Sequence, residues 1–276
     1  MKPGDFEFVA ALVRERSGLV LTADKAYLVE SRLAPLARKE GAVDLSALIA
    51  QMRARRDERL FAAVTDAMTT NETFFFRDKT PFDILRDVAL PEIIARKKGQ
   101  PIRIWCAAAS TGQEPYSIAM LMDEAAPKLG GASVEIFGTD ISDRCLEKAS
   151  AGVYTQFEVQ RGLPIQMLLK HFEKKDDVWR IKDRIRSMVK YRKANLLDGF
   201  SAFGKFDIVF CRNVLIYFDP ATKKQVLERI AVQTVDPGYL FLGAAETVMG
   251  LTDAFRSAPN QRGLYIRTGA AAARAA

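Results

Sequence analysis

The sequence predicts an α/β protein, in which a doubly wound sheet follows an all-helical N-terminal domain and carries a small inserted subdomain with β-structure. Two observations predict this fold class. From Asp5 to about Met68 the apolar residues recur only at helical spacing, whereas from Ile102 short apolar runs alternate with helical patterns. Strands that alternate with helices indicate a parallel sheet with helical crossovers. The length of 276 residues fits one small and one medium-sized domain.

The N-terminal domain, expected over residues 1–80, contains a series of helical patterns. In the first, Val9 and Val13 lie on one helical face, and Gly18 is a typical stop signal. Further patterns cover Asp24–Lys39, Leu45–Arg53 and Glu58–Met68. Pro35 lies inside the second pattern, where it removes a backbone donor and crowds the preceding turn. That helix is therefore expected to kink or end near Ala34.

Residues 81–100 are expected to form a linking helix that carries the domain boundary, and residues 101–268 the α/β domain. Its strands are expected in IRIWCAA, VEIFGTD, VKYRKANLL, FDIVFCRNV, YLFLGAA and GLYIR, and its helices over Glu114–Ala125, Asp143–Ala151 and Pro220–Val235. Between residues 152 and 188 the alternation breaks, which indicates an inserted subdomain. It is expected to contain a helix over Pro164–Phe172 and β-like pieces at Trp179–Ile181 and Arg186–Val189. Residues 269–276 have little to bury and are expected to be disordered.

Composition narrows the class of protein. Hydrophobic residues make up 49% of the chain and charged residues 27%, as in ordinary globular proteins. Cys106, Cys145 and Cys211 fit no metal spacing, and the N-terminal residues lack the apolar core of a signal peptide, so a cytoplasmic location is expected. No apolar run approaches the roughly 20 residues that cross a bilayer. The net charge of +7 leaves open a nucleic acid, an anionic lipid, an acidic protein or no partner.

The end of the first predicted strand indicates a cofactor. In an open parallel sheet, ligands bind beyond the carboxyl ends of the strands. The run Ala107–Ser117 (AAASTGQEPYS) starts with small residues that let the backbone approach a ligand, although a tight turn would also explain them. Glu114 at the start of the next helix would repel a pyrophosphate at the positive end of the helix dipole. S-adenosylmethionine, which carries a cationic sulfonium and no phosphate, fits better.

Polar residues follow other predicted strands. Asp140 could accept hydrogen bonds from a ribose diol, or could cap the next helix, a role that Asp143 could also fill. Arg212 and Asn213 could contact a cofactor or form a buried hydrogen-bonded pair. In TNETFFFRD, Arg77 could make a charge-assisted contact with a ligand carboxylate, whereas packing between domains would explain the phenylalanines.

The sequence contains one histidine, His171, which excludes a multi-histidine metal site, and a catalytic triad would have to use this residue. We interpret His171 as structural. Cys106 and Cys211 are equally well explained as small hydrophobic residues at strand ends. We therefore expect no metal, and find no support for a cysteine nucleophile.

The ordered motifs TNETFFFRD, AAASTGQEPYSIAM, FGTDIS, GVY, ANLLD, FCRNVLIYFD and GYLFLGAAE resemble the chemoreceptor glutamate methyltransferases, the CheR family of bacterial chemotaxis, over about residues 6–267. The resemblance implies a Rossmann-like class I methyltransferase fold, S-adenosylmethionine as methyl donor and S-adenosylhomocysteine as product. The positions that match the family's cofactor contacts are Asn71, Thr73, Arg77, Glu114, Asp140, Asn195, Leu196, Arg212 and Asn213. Tyr217 matches an aromatic residue near the reacting methyl group. Arg77 and Tyr217 are accordingly the candidate catalytic residues.

The reaction implied is methyl transfer to receptor glutamates. A glutamate with the ordinary pKa of about 4.3 is ionised at pH 7, so no general base is required. The implied partner is the cytoplasmic helical region of methyl-accepting chemoreceptors, which the family docks against a basic helix. Here Lys25, Arg32 and Arg38 or Lys39 recur at about seven residues and share one helical face. Pro35 stands where relatives often carry another basic residue, so docking is expected to be weaker or differently shaped.

Some relatives use the inserted subdomain, with a longer loop, to hold a pentapeptide tether at the receptor C-terminus. The segment Phe172–Ile181 (FEKKDDVWRI) is short by comparison, so the sequence predicts no pentapeptide binding. A nucleic-acid methyltransferase would share the fold, but CRNVLIYF has neither the Pro-Pro-aromatic nor the Pro-Cys motif of those enzymes. A non-catalytic adaptor stays open until activity is measured. We expect a cytoplasmic monomer that neither binds nucleic acid nor inserts into a membrane.

Overall fold

The computed structural model describes residues 1–269, which form two compact units. The first unit comprises Met1–Thr70 and Tyr217–Thr222, and the second comprises Asn71–Ile216 and the chain from Lys223 onward. The tail predicted over residues 269–276 lies outside the described residues apart from Gly269.

The division between the units falls at Thr70, earlier than the sequence predicted. Phe75 and Phe82 are buried in the core of the second unit, and Leu85 and Ile93 of the expected linking helix lie in the same core. These side chains assign the segment after Thr70 to the second unit, because burial of large apolar residues determines where a segment packs.

The first unit is helical, as predicted. Its helices are α1 (Pro3–Ser17), α2 (Ala26–Lys39), α3 (Leu45–Ala54) and α4 (Glu58–Met68). Gly18, with a φ of 76°, ends α1 in the left-handed conformation that favours glycine. Val9, Leu33, Leu48 and Val64, one from each helix, are fully buried in a shared core.

Helix α2 continues through Pro35 to Lys39, so the prediction that it could end near Ala34 was wrong. A proline inside a helix costs about 3 kcal/mol. Leu33 and Ala37 lie on either side of Pro35 and are both buried on the face that packs against the core. Continuing the helix keeps Ala37 in that core, and its burial offsets part of the cost of the proline.

The second unit begins with the helical segment α5 (Thr80–Ile84), a π-helical turn (Leu85–Ala89) and α6 (Leu90–Lys97). The elements after residue 100 are β1 (Ile102–Cys106), α7 (Gln113–Ala125), β2 (Val134–Asp140), α8 (Asp143–Ala151), β3 (Val153–Thr155), α9 (Gln156–Gln160), α10 (Ile165–His171), β4 (Phe172–Lys175), β5 (Val178–Ile181), α11 (Asp183–Arg186), β6 (Val189–Lys193), β7 (Phe206–Cys211), α12 (Pro220–Gln233), β8 (Thr234–Leu242), β9 (Phe255–Ser257) and β10 (Leu264–Arg267). None of the helices in the described chain has the length and apolar character that crossing a bilayer requires.

The main sheet confirms the predicted doubly wound α/β fold. Its strand order is β6-β2-β1-β7-β8-β10-β9, and the pairs from β6 to β8 are parallel. Strand β10 runs antiparallel to both of its neighbours. The chain extends the sheet first to one side of β1 and later to the other, so β1 and β7 flank a topological switch point, where ligands bind in such folds.

The inserted subdomain forms its own antiparallel sheet, in the order β3-β5-β4. The prediction of a β-piece at Arg186–Val189 was wrong: Arg186 ends α11, and Val189 begins β6 of the main sheet. Strands β3, β4 and β9 were missed, because β4 (FEKK) and β9 (FRS) each contain a single apolar residue and β3 (VYT) has only three residues. The equally short β5 (VWRI) and β10 (LYIR) were predicted from their apolar residues. A turn of two residues, Asp176 and Asp177, joins β4 to β5.

Candidate functional site

Asp140 joins the carboxyl ends of β1 and β2. Its Oδ2 accepts a hydrogen bond from the backbone N of Ser110 at 2.8 Å, and its Oδ1 accepts one from the backbone N of Ser142 at 3.0 Å. The helix that follows is capped by the side chain of Ser142, which accepts from Cys145 N, so the suggestion that Asp143 caps it was wrong. Asp140 is therefore buried and oriented at the strand end without serving as that helix cap.

The turn after β1 needs small residues for geometric reasons. Ser110 and Gly112 both have positive φ angles, of 48° and 94°. A Cβ at Gly112 would lie 2.8 Å from the hydroxyl oxygen of Tyr191, so glycine is required there. Ser110 Oγ also donates a hydrogen bond to the backbone oxygen of Asn71 at 2.8 Å, which brings Asn71 to this turn.

Glu114 and Arg212 meet between the start of α7 and the end of β7. Arg212 Nη1 donates to Glu114 Oε2 at 2.9 Å, and Arg212 Nη2 donates to Asp78 Oδ2 at 2.8 Å. The same nitrogen donates to the backbone oxygen of Arg77 at 2.9 Å. The side chain of Arg212 is 1% exposed. Burial raises the pKa of Glu114, and the nearby Arg212 opposes that rise.

The segment that contains Arg77 is strained and tightly packed. Phe76, Asp78 and Lys79 have positive φ angles, which are costly for residues other than glycine. Arg77 Nη1 donates to the backbone oxygen of Glu72 at 2.9 Å. Phe75 is fully buried in the core of the second unit, so packing explains this phenylalanine. Such strain persists only where surrounding contacts enforce it, and it is common at functional sites.

Asn195 and Leu196 follow β6, which lies next to β2 in the sheet. The backbone N of Ala194 donates to the backbone oxygen of Asp140 at 3.0 Å, so this loop is attached to the Asp140 end. Asn195 Oδ1 accepts from the backbone N of Leu197 at 3.1 Å, and Leu196 is buried. Thr73 is half-buried.

Asn213 is held by a residue that sequence reasoning missed. Its φ is 59°, and its backbone N donates to Glu246 Oε2 at 2.8 Å. Glu246 ends the motif GYLFLGAAE, but no pattern in the sequence singles it out, because its side chain binds backbone N–H groups, which nearly every residue offers.

Tyr217 belongs to the first unit, together with the short segment that follows it. Its ring packs against that unit's core, and its backbone oxygen accepts from Val20 N at 2.9 Å. The suggested position of Tyr217 near a reacting methyl group stays a prediction.

The predicted docking residues on the first unit differ in exposure. Lys25 and Arg38 are exposed. Arg32 is half-buried, and its Nη1 donates to the backbone oxygens of Met68 and Thr69 at 2.7 and 3.2 Å. Arg32 thus binds carbonyls at the C-terminus of α4, where a cation is stabilising, and its guanidinium is less available for docking than the sequence suggested.

A second charged cluster lies beside the inserted subdomain. Within residues 1–269, the potential ligand atoms of Asp123, Glu124 and His171 lie within 4.8 Å of one another. Asp123 is paired with Arg184, and Glu124 with Lys170. The two carboxylate charges are therefore already balanced by side chains of the protein.

The side chains at the carboxyl edge of the sheet fit S-adenosylmethionine by their chemistry. The carboxylate of Asp140 at the end of β2 suits a ribose diol, and Glu114 at the start of α7 disfavours a phosphate there. Small residues on the turn after β1 allow close approach of the backbone. The guanidinium of Arg77 would suit a ligand carboxylate.

Comparison with known proteins gives strong matches along most of the chain. Residues 71–264 match the family described as "CheR methyltransferase, SAM binding domain", and residues 4–69 match "CheR methyltransferase, all-alpha domain". The chemotaxis protein methyltransferase of Vibrio parahaemolyticus is 45% identical over 254 residues, which cover 91% of this chain and 92% of the relative. Chemotaxis protein methyltransferase 1 of Pseudomonas aeruginosa is 43% identical over 267 residues, covering 95% and 97%. The Vibrio cholerae protein of the same name is 46% identical over 246 residues, covering 88% and 89%.

Proposed function

Because this chain belongs to the CheR methyltransferase family, we propose that it methylates glutamate side chains of bacterial chemoreceptors. The chain is an S-adenosylmethionine-dependent methyltransferase. The products of the proposed reaction are glutamate methyl esters and S-adenosylhomocysteine. The observation that carries the proposal is the match to the CheR methyltransferase domains and to chemotaxis protein methyltransferases over most of the chain. The polar groups of Asp140, Glu114 and Arg212 at the carboxyl edge of the sheet support it.

We assign cofactor binding to residues at and near the carboxyl edge of the sheet. Asp140 would accept hydrogen bonds from the ribose, since its carboxylate is already oriented by Ser110 N and Ser142 N. The turn after β1, whose Ser110 hydroxyl donates to the backbone oxygen of Asn71, would allow close contact with the cofactor's amino-acid end. The remaining proposed contacts are Thr73, Arg77, Glu114, Asn195, Leu196, Arg212 and Asn213.

Arg212 is better suited to positioning than to bond making. Its guanidinium is buried and holds Glu114 and the backbone of Arg77, which come from different elements. Removing one partner of a buried ion pair typically costs about 3–5 kcal/mol, because it leaves an uncompensated charge. The pair therefore gives the site a fixed geometry before any ligand binds.

The substrate carboxylate needs no general base, because a solvated glutamate is already ionised at pH 7. S-adenosylmethionine supplies the methyl group. The protein's own contribution is to align the carboxylate with that methyl group, and proximity of this kind can contribute roughly 7–11 kcal/mol. We assign Arg77 to positioning the cofactor carboxylate, and the ring face of Tyr217 to favouring the cationic sulfonium.

The proposed partner is the cytoplasmic helical region of a methyl-accepting chemoreceptor, and the proposed location is the cytoplasm. Lys25 and Arg38 are exposed and would attract a glutamate-rich helix. We propose that the enzyme acts as a monomer, requires no metal and does not bind nucleic acid. We also propose that Pro35 makes receptor docking weaker than in relatives that carry another basic residue at this position. Sedimentation of the purified protein would test the monomeric state.

Binding of a receptor's C-terminal pentapeptide is not part of the proposal. The turn between β4 and β5 has only Asp176 and Asp177, which supports the expectation of a short loop. Calorimetric titration with a tether pentapeptide should give no heat of binding, and a measurable affinity would overturn this part of the proposal.

The function is tested by transfer of labelled methyl groups from S-adenosylmethionine to receptor cytoplasmic fragments. The wild-type fragment is compared with one whose candidate glutamates are replaced by alanine. Base-labile label on the wild-type fragment alone supports glutamate methylation. Cofactor binding without transfer to any receptor fragment would favour an adaptor or another substrate.

A further inference from the structure

Glu246 lies in the turn after β8, and its carboxylate binds backbone amides of two separate segments. Oε2 accepts from Asn213 N at 2.8 Å and from Gly243 N at 2.7 Å. Oε1 accepts from Val214 N at 2.9 Å and from Ile216 N at 3.3 Å. The residue is 9% exposed, so these hydrogen bonds form largely out of contact with water.

This arrangement fixes the loop that follows β7. Amide groups in such a loop lack the partners that a strand or helix would provide, and a buried amide without a partner is costly. One carboxylate satisfies three of them in Asn213–Ile216, and hydrogen bonds to a charged acceptor are stronger than those between neutral groups. The turn is also closely packed, since a Cβ at Gly243 would lie 2.8 Å from both Asn213 Nδ2 and Glu246 Oε2.

The loop held by Glu246 is the one that carries the proposed cofactor contacts Arg212 and Asn213. Asn213 has a φ of 59°, a conformation that costs a non-glycine residue energy unless its surroundings enforce it. The hydrogen bonds from Asn213 N and Val214 N to Glu246 flank the Asn213 Cα and supply that enforcement.

We propose that Glu246 is a positioning residue for cofactor binding, which holds Asn213 in its left-handed conformation and so fixes the loop at the carboxyl edge of the sheet. This inference rests on the cofactor assignment of the proposed function. It does not depend on which protein receives the methyl group, because its readout is cofactor affinity.

Glu246→Gln and Glu246→Asp test the role in complementary ways. The glutamine keeps the size of the side chain, but its NH₂ group must face backbone N–H groups on one side, which removes acceptors for two amides. The aspartate keeps both oxygens and the charge but is one methylene shorter. Glu228→Gln is the matched control, because Glu228 is exposed and accepts from the hydroxyl of Thr252, which an amide oxygen also accepts.

The affinity for S-adenosylhomocysteine is measured by calorimetry well below the unfolding temperature of each variant, together with hydrogen exchange of the peptide that contains residues 213–216. We expect at least tenfold weaker affinity in Glu246→Gln, a smaller loss in Glu246→Asp, and faster exchange confined to that peptide and the Gly243 turn. The control should match the wild type in both measurements.

Unchanged affinity in a folded Glu246→Gln protein would overturn the proposal, and so would a lower unfolding temperature with uniformly faster exchange, which is what a general structural role predicts. If Glu246→Gln does not fold, the affinity of Glu246→Asp decides in the same way. A wild-type protein that fails to bind S-adenosylhomocysteine would instead refute the cofactor assignment. A wild type that binds it but methylates no receptor would refute only the proposed substrate.

Discussion

Glu114 and Asp140, the two carboxylates at the carboxyl edge of the sheet, differ in their hydrogen-bond partners. Glu114 is paired with Arg212, so its charge is used inside the protein. Asp140 accepts hydrogen bonds from the backbone amides of Ser110 and Ser142, which orient its carboxylate at the end of β2. Glu114 is thus a partner of Arg212 inside the protein, and Asp140 is the proposed contact with the ribose.

Asp140→Asn should weaken binding of S-adenosylhomocysteine at least about tenfold, equivalent to about 1.4 kcal/mol. The amide must turn its NH₂ group toward one of the two backbone N–H groups, and the negative charge is lost. Asp143→Asn is the matched control, since Asp143 is exposed and forms a surface ion pair with Lys193 that contributes little. Calorimetric titration of both variants checks the prediction, and equal affinities would contradict it.

Sequence reasoning singled out Asp140 and Arg212, because a polar side chain at the end of an apolar strand stands out against the pattern. It did not single out Glu246, which holds the loop after β7. Glu246 acts on backbone amides of a segment thirty or more residues away, and any sequence in that segment would offer the same N–H groups. Its role becomes visible only when the two turns are placed side by side.

At the level of elements, Gly162 shows how the insertion contacts the Arg77 segment. It follows α9 with a φ of 84°, and a Cβ there would collide with the backbone oxygen of Phe75. Beside it, Arg161 lies 4.5 Å over the ring of Phe74 and pairs with Glu72. The insertion therefore packs against the residues just before the strained segment that contains Arg77.

Gly162→Ala should lower both the unfolding temperature and the rate of methyl transfer, because the new methyl group must displace the backbone at Phe75. Gly130→Ala is the control, because it introduces the cost of a positive φ without a collision. Gly130 has a φ of 58° with nothing within 4 Å of the added Cβ, so its variant should lose only about 1 kcal/mol of stability and no activity. Thermal unfolding and initial rates measure the two effects, and equal losses in both variants would rule out the collision.

The insertion is attached to α7 by a charged cluster around His171. The imidazole is fully buried, with Arg184 Nη2 at 3.2 Å from Nδ1 and Glu124 Oε1 at 3.4 Å from Nε2. Asp123 Oδ2 lies 3.8 Å from Nδ1, and Lys170 pairs with Glu124. Burial lowers the pKa of His171 below its ordinary value of 6.5; Asp123 and Glu124 oppose this shift, and Arg184 and Lys170 reinforce it.

The lowered pKa of His171 predicts that the folded protein loses stability as the pH falls. Because the folded-state pKa is depressed, the unfolded chain takes up a proton first as the pH falls. The stability that the neutral imidazole contributes is thus complete above pH 6.5 and is lost as the pH falls from 6.5 toward the folded-state pKa. Urea unfolding between pH 8 and pH 5 should show a steeper loss in the wild type than in His171→Gln. Since His171 is the single histidine, parallel losses would contradict the prediction.

Element prediction succeeded for the long helices and for most strands, but it missed three of the short strands. The patterns of α1, α3 and α4 agree with the structure to within a few residues, since each helix buries a periodic apolar face. Strands β3, β4 and β9 have three or four residues and depend on their neighbours for hydrogen bonds. Pro35 shows a related limit, because tertiary packing of residues such as Ala37 contributes to how far the helix continues and is not visible in the local sequence.

At the scale of the whole molecule, the net charge of +7 is unevenly distributed along the chain. Residues 1–70 contain eleven Lys and Arg residues against ten Asp and Glu residues, so the helical segment is almost neutral. Any attraction between this unit and an acidic receptor helix must therefore come from the placement of individual exposed charges. Total charge alone would not produce it.

The double variant Lys25→Glu, Arg38→Glu tests that placement. We expect the KM for a receptor fragment to rise on the order of tenfold at low salt, because exposed charges steer encounter and orientation of the partner. The difference from the wild type should shrink at high salt, where exposed charges are screened. Affinity for S-adenosylhomocysteine should stay unchanged, since the proposed cofactor contacts lie in the second unit.

Arg55→Glu, Arg56→Glu is the matched control, because both residues are exposed on the first unit and the double reversal changes the net charge by the same amount. Steady-state rates at two salt concentrations separate the two possibilities. If the position of the charges matters, the control keeps the wild-type KM while the Lys25 and Arg38 variant loses affinity for the receptor. If both double variants raise the KM equally, docking responds only to net charge, and the face of α2 that carries Arg38 is not the receptor-binding surface.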